Sequence, residues 1–192
     1  ISADQLSTLE QVKNTTAARL QRSTATLLYL NTSTALFSDE RVRQALSLGI
    51  DREEIVRRVY PGGATASSSP VVPGTWAYVE GADVTEPDIA EAKRLLGEAG
   101  WVANPTTGIL ARQGSEFRFT IRVDNDATRV AMAGEIARQL EQLGVRATVA
   151  STTFSVLRRD FLQERRYEAA VAAWEQGPDP DLYFGWHSSQ MG

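Results

Sequence analysis

Cysteine is absent from the 192 residues, which removes disulfides, zinc–thiolate sites and cysteine nucleophiles and fits an oxidising or a reducing compartment equally well. Histidine occurs once, at His187, so few nucleophile and base pairings exist, and no GxSxG, SxxK or HExxH pattern occurs. The glycines after Pro61 are not followed by Gly-Lys-Ser/Thr, so that loop is no phosphate cradle. No apolar run approaches the ~20 residues of a membrane span. No signal peptide stands at Ile1, and because the chain begins without Met this says nothing about a leader. The formal net charge of −4 leaves no polyphosphate footprint, so no nucleic-acid partner is expected. Lysine is scarce, 2 against 18 arginines, a bias that base composition explains more simply than functional arginine clusters.

What is present is a strong local grammar. In Leu36 to Tyr60, Ser38 can cap a helix with Asp39 and Glu40 in its first turn, Phe37 and Val42 stand at hydrophobic-staple spacing, and Val42, Ala45, Leu46 and Gly49 make one apolar stripe. Asp51 with Glu54 three residues on predicts a second helix opened by a capping box, with Ile50 and Ile55 as its staple and Val59 extending the face. Asp88 and Glu91 frame a third helix with Ile89, Ala92, Leu95, Leu96 and Ala99 inward, Gly100 as a left-handed stop and Trp101 folding back on its end. Upstream, Ile1 to Asn14 has weak helical spacing, and Ala17 to Leu20 and Ala25 to Asn31 read as short strands. Pro61 to Trp76 is an irregular surface connection.

Beyond a turn at Asn104 to Gly108, Ile109 to Arg112 and Phe117 to Val123 suggest a hairpin, with Phe117, Phe119, Ile121 and Val123 on one face. Helix Ala127 to Leu143, strand Val145 to Ala150, helix Phe154 to Arg165 and strand Ala169 to Trp174 follow. That alternation predicts an α/β domain with a parallel core. In such sheets ligands sit outside the carboxyl ends of the strands. Those ends are Asp124, Asn125 and Asp126, then Ser151 to Phe154, then Trp174, Glu175 and Gln176.

The stretch FSDERVRQALSLGIDREEIV, with LLYLN before it and PVVPGTW, AEAKRLLGEAGW, QLEQLGV and YEAAVAAW…DPD after it in order, resembles the family 5 extracellular solute-binding proteins of ABC importers. The resemblance runs from about Leu27 to the end. It implies one lobe of a type II periplasmic-binding-protein fold, a mixed and mostly parallel sheet flanked by helices. The whole chain, 1–192, is then expected to be a single domain, the C-terminal-type lobe of a longer two-lobed binder. It also implies a monomer that captures a peptide or other small organic solute, passes it to a membrane permease, needs no cofactor and works outside the cytoplasm, in the periplasm or as a cell-surface lipoprotein.

In that family the tryptophan matching Trp174 contacts ligand at the cleft between lobes. Read alone, Trp174 could equally be an aromatic cap on the core. Peptide-binding members also carry an aspartate shortly after it, which pairs with the peptide amine; here Gly177 stands at about that place. Glu175 is the nearest acidic substitute, and Asp179 more simply shapes a turn. The expected ligand-binding set is therefore Trp174, Glu175, Gln176, Phe154, Asp124 and Asn125, with no metal. An uncharged solute such as an oligosaccharide stacked on Trp174 competes with peptide, and a sensory module on the same fold remains a third reading. Catalysis by Asp124 with Asp126 is disfavoured, because Asp126 precedes a helix and reads as its N-cap.

Overall fold

The computed structural model describes residues 8, 12, 23–61, 63–72, 75–79, 86–177, 179, 181–183, 187 and 189. The expected lead-in helix and the strand at Ala17 to Leu20 lie outside these. Strand β1 (Thr24–Leu30) is followed by helices α1 (Glu40–Leu48), α2 (Arg52–Val59) and α3 (Ile89–Glu98), then the short strands β2 (Val102–Ala103), β3 (Leu110–Arg112) and β4 (Ser115–Glu116). The remainder is β5 (Arg118–Asp124), α4 (Ala127–Leu140) with a 3-10 turn Glu141–Leu143, β6 (Arg146–Thr152), a single turn α5 (Phe154–Val156) running into a π-helical segment Leu157–Leu162, and β7 (Ala169–Glu175).

The main sheet has the order β1-β7-β5-β6, with β5 parallel to both neighbours and β1 antiparallel on β7. It is mixed and mostly parallel, with helices on its faces. β2, β3 and β4 form a separate small antiparallel sheet. The expected hairpin is thereby corrected. The partner of β3 is the two-residue β4, the Phe117 amide still donates to Leu110, and from Arg118 onward the chain leaves β3 to run as β5 between β6 and β7 of the main sheet.

One face of β5 carries Phe119, Ile121 and Val123, all buried, and registers with Val149 of β6 and Ala169 and Val171 of β7. The helices α1, α3 and α4 deliver Val42, Leu46, Leu96, Ala133, Ile136 and Leu140 to this core. Phe37, ahead of α1, meets Phe119 edge-on at 5.1 Å, and Trp101 stacks on Phe117 at 4.4 Å. Each fully buried aromatic of this kind contributes roughly 1.5–3 kcal/mol of transfer free energy, so this cluster outweighs any single exposed ion pair here.

The helix starts follow the sequence with one shift. Asp39, not Ser38, caps α1 by accepting the Arg41 amide at 2.9 Å, and the Ser38 hydroxyl turns back to Ala35. A carboxylate at the N-cap also answers the positive end of the helix, which a hydroxyl does not. Asp51 and Asp88 cap α2 and α3 as expected, accepting the amides of Glu54 and Glu91. α3 ends in a Schellman motif: Gly100, at φ +84°, donates to Gly97 and Trp101 donates to Leu96. Gly49 serves a different end, since a Cβ there would fall 2.5 Å from Leu143 Cδ1. Any larger residue there would push the buried Leu143 side chain out of its place against α1.

The reciprocal half of the α2 capping box is not made by Glu54. The Asp51 N–H donates instead to Gln139 Oε1 on α4 at 2.8 Å, and the Gln139 amide nitrogen reaches Glu54 and Glu135. Gln139 is 1% exposed, so this bond locks α2 onto α4 inside the protein. Asp51→Ala is expected to cost about 1 kcal/mol as a lost cap. Gln139→Ala, which strands a buried N–H, is expected to cost about 1–3 kcal/mol. Denaturant unfolding of both variants checks this, and a Gln139→Ala loss under about 0.5 kcal/mol would disprove the lock of α2 on α4.

Glu135 beside it is held below its ordinary carboxyl value, first by its hydrogen bonds from Arg138, with burial opposing and Gln139 assisting. A lowered folded-state pKa contributes stability above the ordinary value of 4.5, and that contribution is lost as pH falls through the folded value. Glu135→Gln should therefore flatten the acid limb of a stability-versus-pH curve below about pH 4.5. An unchanged acid limb would remove Glu135 from the account.

Candidate ligand-binding site

Because β5, β6 and β7 run in one direction, their carboxyl ends share one edge of the sheet. There a groove of about 490 Å³ opens, lined by Asp124 and Asn125 from the end of β5, Asp126 and Arg129 from the N-cap and first turn of α4, Phe154 from the start of α5, and Ala172 and Ala173 of β7.

The charges are arranged by local geometry. Asp126 caps α4 by accepting the Arg129 amide at 2.9 Å, as the sequence predicts. This turns the Arg129 side chain back over the strand end, where Nε and Nη2 donate to the two oxygens of Asp124 at 2.9 and 2.8 Å. Asp124 also accepts the Asp126 amide at 3.2 Å and is 5% exposed. The fork keeps the Arg129 guanidinium firmly charged, above its already high ordinary value, through the Asp124 hydrogen bonds. Asp124 is thus an anchor consumed within the protein. Arg129, absent from the expected set, is the charged group it presents to the groove. Its signal was available in sequence, since an arginine three residues after an N-cap lies over the cap on the same helix face.

Phe154 is 58% exposed at the groove wall and Asn125 is exposed beside it, so these two expected residues are free to meet a ligand. Trp174 pairs with Ala25 across β7 and β1 and is half-buried, with its indole N–H buried and unpartnered among the described residues. It lies at the same strand end, next to the groove and not in its lining. Glu175 is exposed one residue on. Gln176 turns inward: it is 5% exposed, its side-chain oxygen accepts the Val72 amide at 3.0 Å, and its backbone amide donates to Ser23. It ties the 63–72 loop to the end of β7. The structure therefore gathers Asp124, Asn125 and Phe154 at one groove, sets Trp174 and Glu175 beside it, and gives Gln176 an internal bond. No cluster of three or more metal-ligating side chains occurs among the described residues.

The model of the bacterial extracellular solute-binding proteins, family 5 Middle, matches residues 1–192. This chain belongs to that family. The oligopeptide-binding protein AppA of Bacillus subtilis is 33% identical over 165 residues, covering 84% of this chain and 30% of that protein. The heme-binding protein A of Haemophilus influenzae is 28% identical over 154 residues, covering 80% and 27%. Among solved structures, AppA from Bacillus subtilis in complex with a nonapeptide superposes with a TM-score of 0.86 at 30% identity, over 100% of this chain and 39% of that one. NikZ from Campylobacter jejuni in complex with Ni(L-His) has the same fold, with a TM-score of 0.83 at 24% identity over 99% and 38%. The chain spans about a third of the length of these relatives. The family consists of extracellular solute-binding proteins and not of enzymes, and no described helix of this family 5 chain is long and apolar enough to cross a membrane.

Arg129→Leu would leave a buried carboxylate without its counter-charge. A stability loss of about 3–5 kcal/mol is expected, with Asp124→Asn/Arg129→Leu partly restored. Thermal unfolding of the two variants decides it, and a double variant no better than the single would show that the pair is not the anchor described.

Proposed function

We propose that this chain is one lobe of a two-lobed binder that closes on a peptide or similar organic solute and delivers it to a membrane ABC permease. The observation that carries the reading is the groove at the shared strand ends, lined by an exposed Phe154 and by Ala172 and Ala173, with a half-buried Trp174 beside it. A shallow apolar floor with a few polar groups suits a ligand that a second surface must cover. The similarity to AppA, whose solved complex holds a nonapeptide, supports peptide as the ligand class. Binding involves Trp174, Phe154, Asn125 and Glu175, with Arg129 as the fixed cation. No chemistry is performed on the ligand, since Asp126 is spent on a helix cap and Asp124 on Arg129. The protein acts outside the cytoplasmic membrane, in the periplasm or anchored at the cell surface, as a monomer.

Gly177 favours a second reading. It offers no carboxylate for a peptide amine, so an uncharged solute stacked on the aromatics competes, and Glu175 is the side chain that separates the two. In the two-lobed protein, Trp174→Ala should weaken binding of a peptide mixture by about 1–4 kcal/mol while costing less stability than the ~3–5 kcal/mol of a wholly buried aromatic. Glu175→Gln should cause a large loss for a cationic ligand and a small one for an uncharged solute. Normal binding by folded Trp174→Ala protein would move the site away from β7. The 192-residue chain alone should bind only weakly, because half a cleft buries half a ligand. Micromolar or tighter affinity in a calorimetric titration would contradict the two-lobed reading.

A further inference from the structure

The opposite edge of the sheet carries a second concavity that the ligand groove does not use. It has a volume of about 320 Å³ and lies where β1 ends and β7 begins, with Arg122, Arg165, Arg166 and Glu168 among its lining residues. Along β7 its lining residues Tyr167 and Glu168 lie about 15 Å from Ala172 and Ala173 of the strand-end groove, and on β5 Arg122 lies about 7 Å from Asp124.

Its frame is rigidly built. The Asn31 side-chain amide donates to the carbonyls of Arg165 at 3.1 Å and Tyr167 at 2.9 Å, and the Asn31 N–H donates to Glu168 at 2.8 Å. Arg165 is held at φ +52°, a left-handed conformation uncommon for a residue with a side chain. The Glu168 carboxylate, the one acid in the lining, accepts the Thr120 amide at 2.8 Å. The π-helical segment brings Phe161 over the Arg122 guanidinium at 4.3 Å; such segments recur at functional sites.

The arginines themselves are the unusual feature. Arginines elsewhere in the chain either pair with carboxylates, as Arg94 does with Glu91 and Glu98 and Arg129 with Asp124, or donate to backbone carbonyls, as Arg43 does to Phe37 and Arg112 to Ala99. Arg122 and Arg165 form no ion pair among the described residues, and Arg166 has only Glu164 at 3.8 Å. Arg122 is half-buried, with an aromatic face and no anion against its charge. A guanidinium partly withdrawn from water is best satisfied by a planar or tetrahedral oxyanion that accepts several N–H groups. The volume far exceeds the roughly 30 Å³ share of one water.

The geometry points to an oxyanion-binding site at Arg122, Arg165 and Arg166, accepting a phosphate or carboxylate group. A soluble anion and an acidic side chain on a protein surface share that chemistry. Calorimetric titration of the 192-residue chain at low salt, with inorganic phosphate and separately with a capped triglutamate peptide, distinguishes them. Saturable single-site binding is expected for at least one, weakened about fivefold or more by Arg165→Gln and by Arg122→Gln and unchanged by Arg94→Gln on α3. Tighter phosphate binding identifies a free oxyanion, and tighter peptide binding identifies an acidic protein surface. Arg165 is exposed, so its variant stays folded and keeps the test decisive if Arg122→Gln loses its packing. No saturation with either probe, or equal affinity in Arg165→Gln and the parent chain, overturns the assignment.

Discussion

Strand β5 lies between β6 and β7 and runs in the direction of both, and this parallel register constrains everything else. Parallel neighbours cannot be joined by tight turns, so α4 and the α5/π segment must cross from one end of the sheet to the other. One face of β5 is then sealed by α4, with α1 and α3 beside it, while Phe161 covers Arg122 on the other. The same constraint collects Asp124, Thr152 and Glu175 at a single edge. The candidate groove is a consequence of strand direction before it is a consequence of any particular side chain.

Two kinds of polar interaction stand out against that apolar frame. Exposed pairs such as Arg94 with Glu91 or Arg146 with Glu141 sit in solvent and contribute little. The bonds of Gln139 to α2 and of Gln176 to the Val72 amide are buried, and losing either would leave unsatisfied groups inside. They join segments 88 and 104 residues apart. Both use a neutral amide, which avoids the desolvation cost that a charged group would carry at the same depth.

The two sheet edges differ in electrical character for a structural reason. At the carboxyl ends, the start of α4 draws in Asp126 and, through it, the Asp124–Arg129 fork, so the charges there are mutually compensated. At the other edge the chain re-enters β7 through a left-handed residue braced by Asn31, where Arg122 and Arg165 form no ion pair among the described residues and Arg166 meets only Glu164.

The sequence by itself determined the elements whose physics is local. The caps at Asp51, Asp88 and Asp126, the Schellman stop at Gly100 and the buried faces of α1, α3 and β5 all depend on residues within about a turn of one another, so spacing reveals them. The parallel core was legible for the same reason, from helices alternating with strands. Asp39 displaced Ser38 because two good caps stood side by side and only the folded backbone chose. Tertiary structure alone decided that Gln139 completes the α2 cap and that Gln176 faces inward. In each case the side-chain oxygen of the glutamine accepts an amide distant in the chain. A one-dimensional pattern carries no distance between such groups; only the packing of the sheet and its helices brings them within hydrogen-bonding reach.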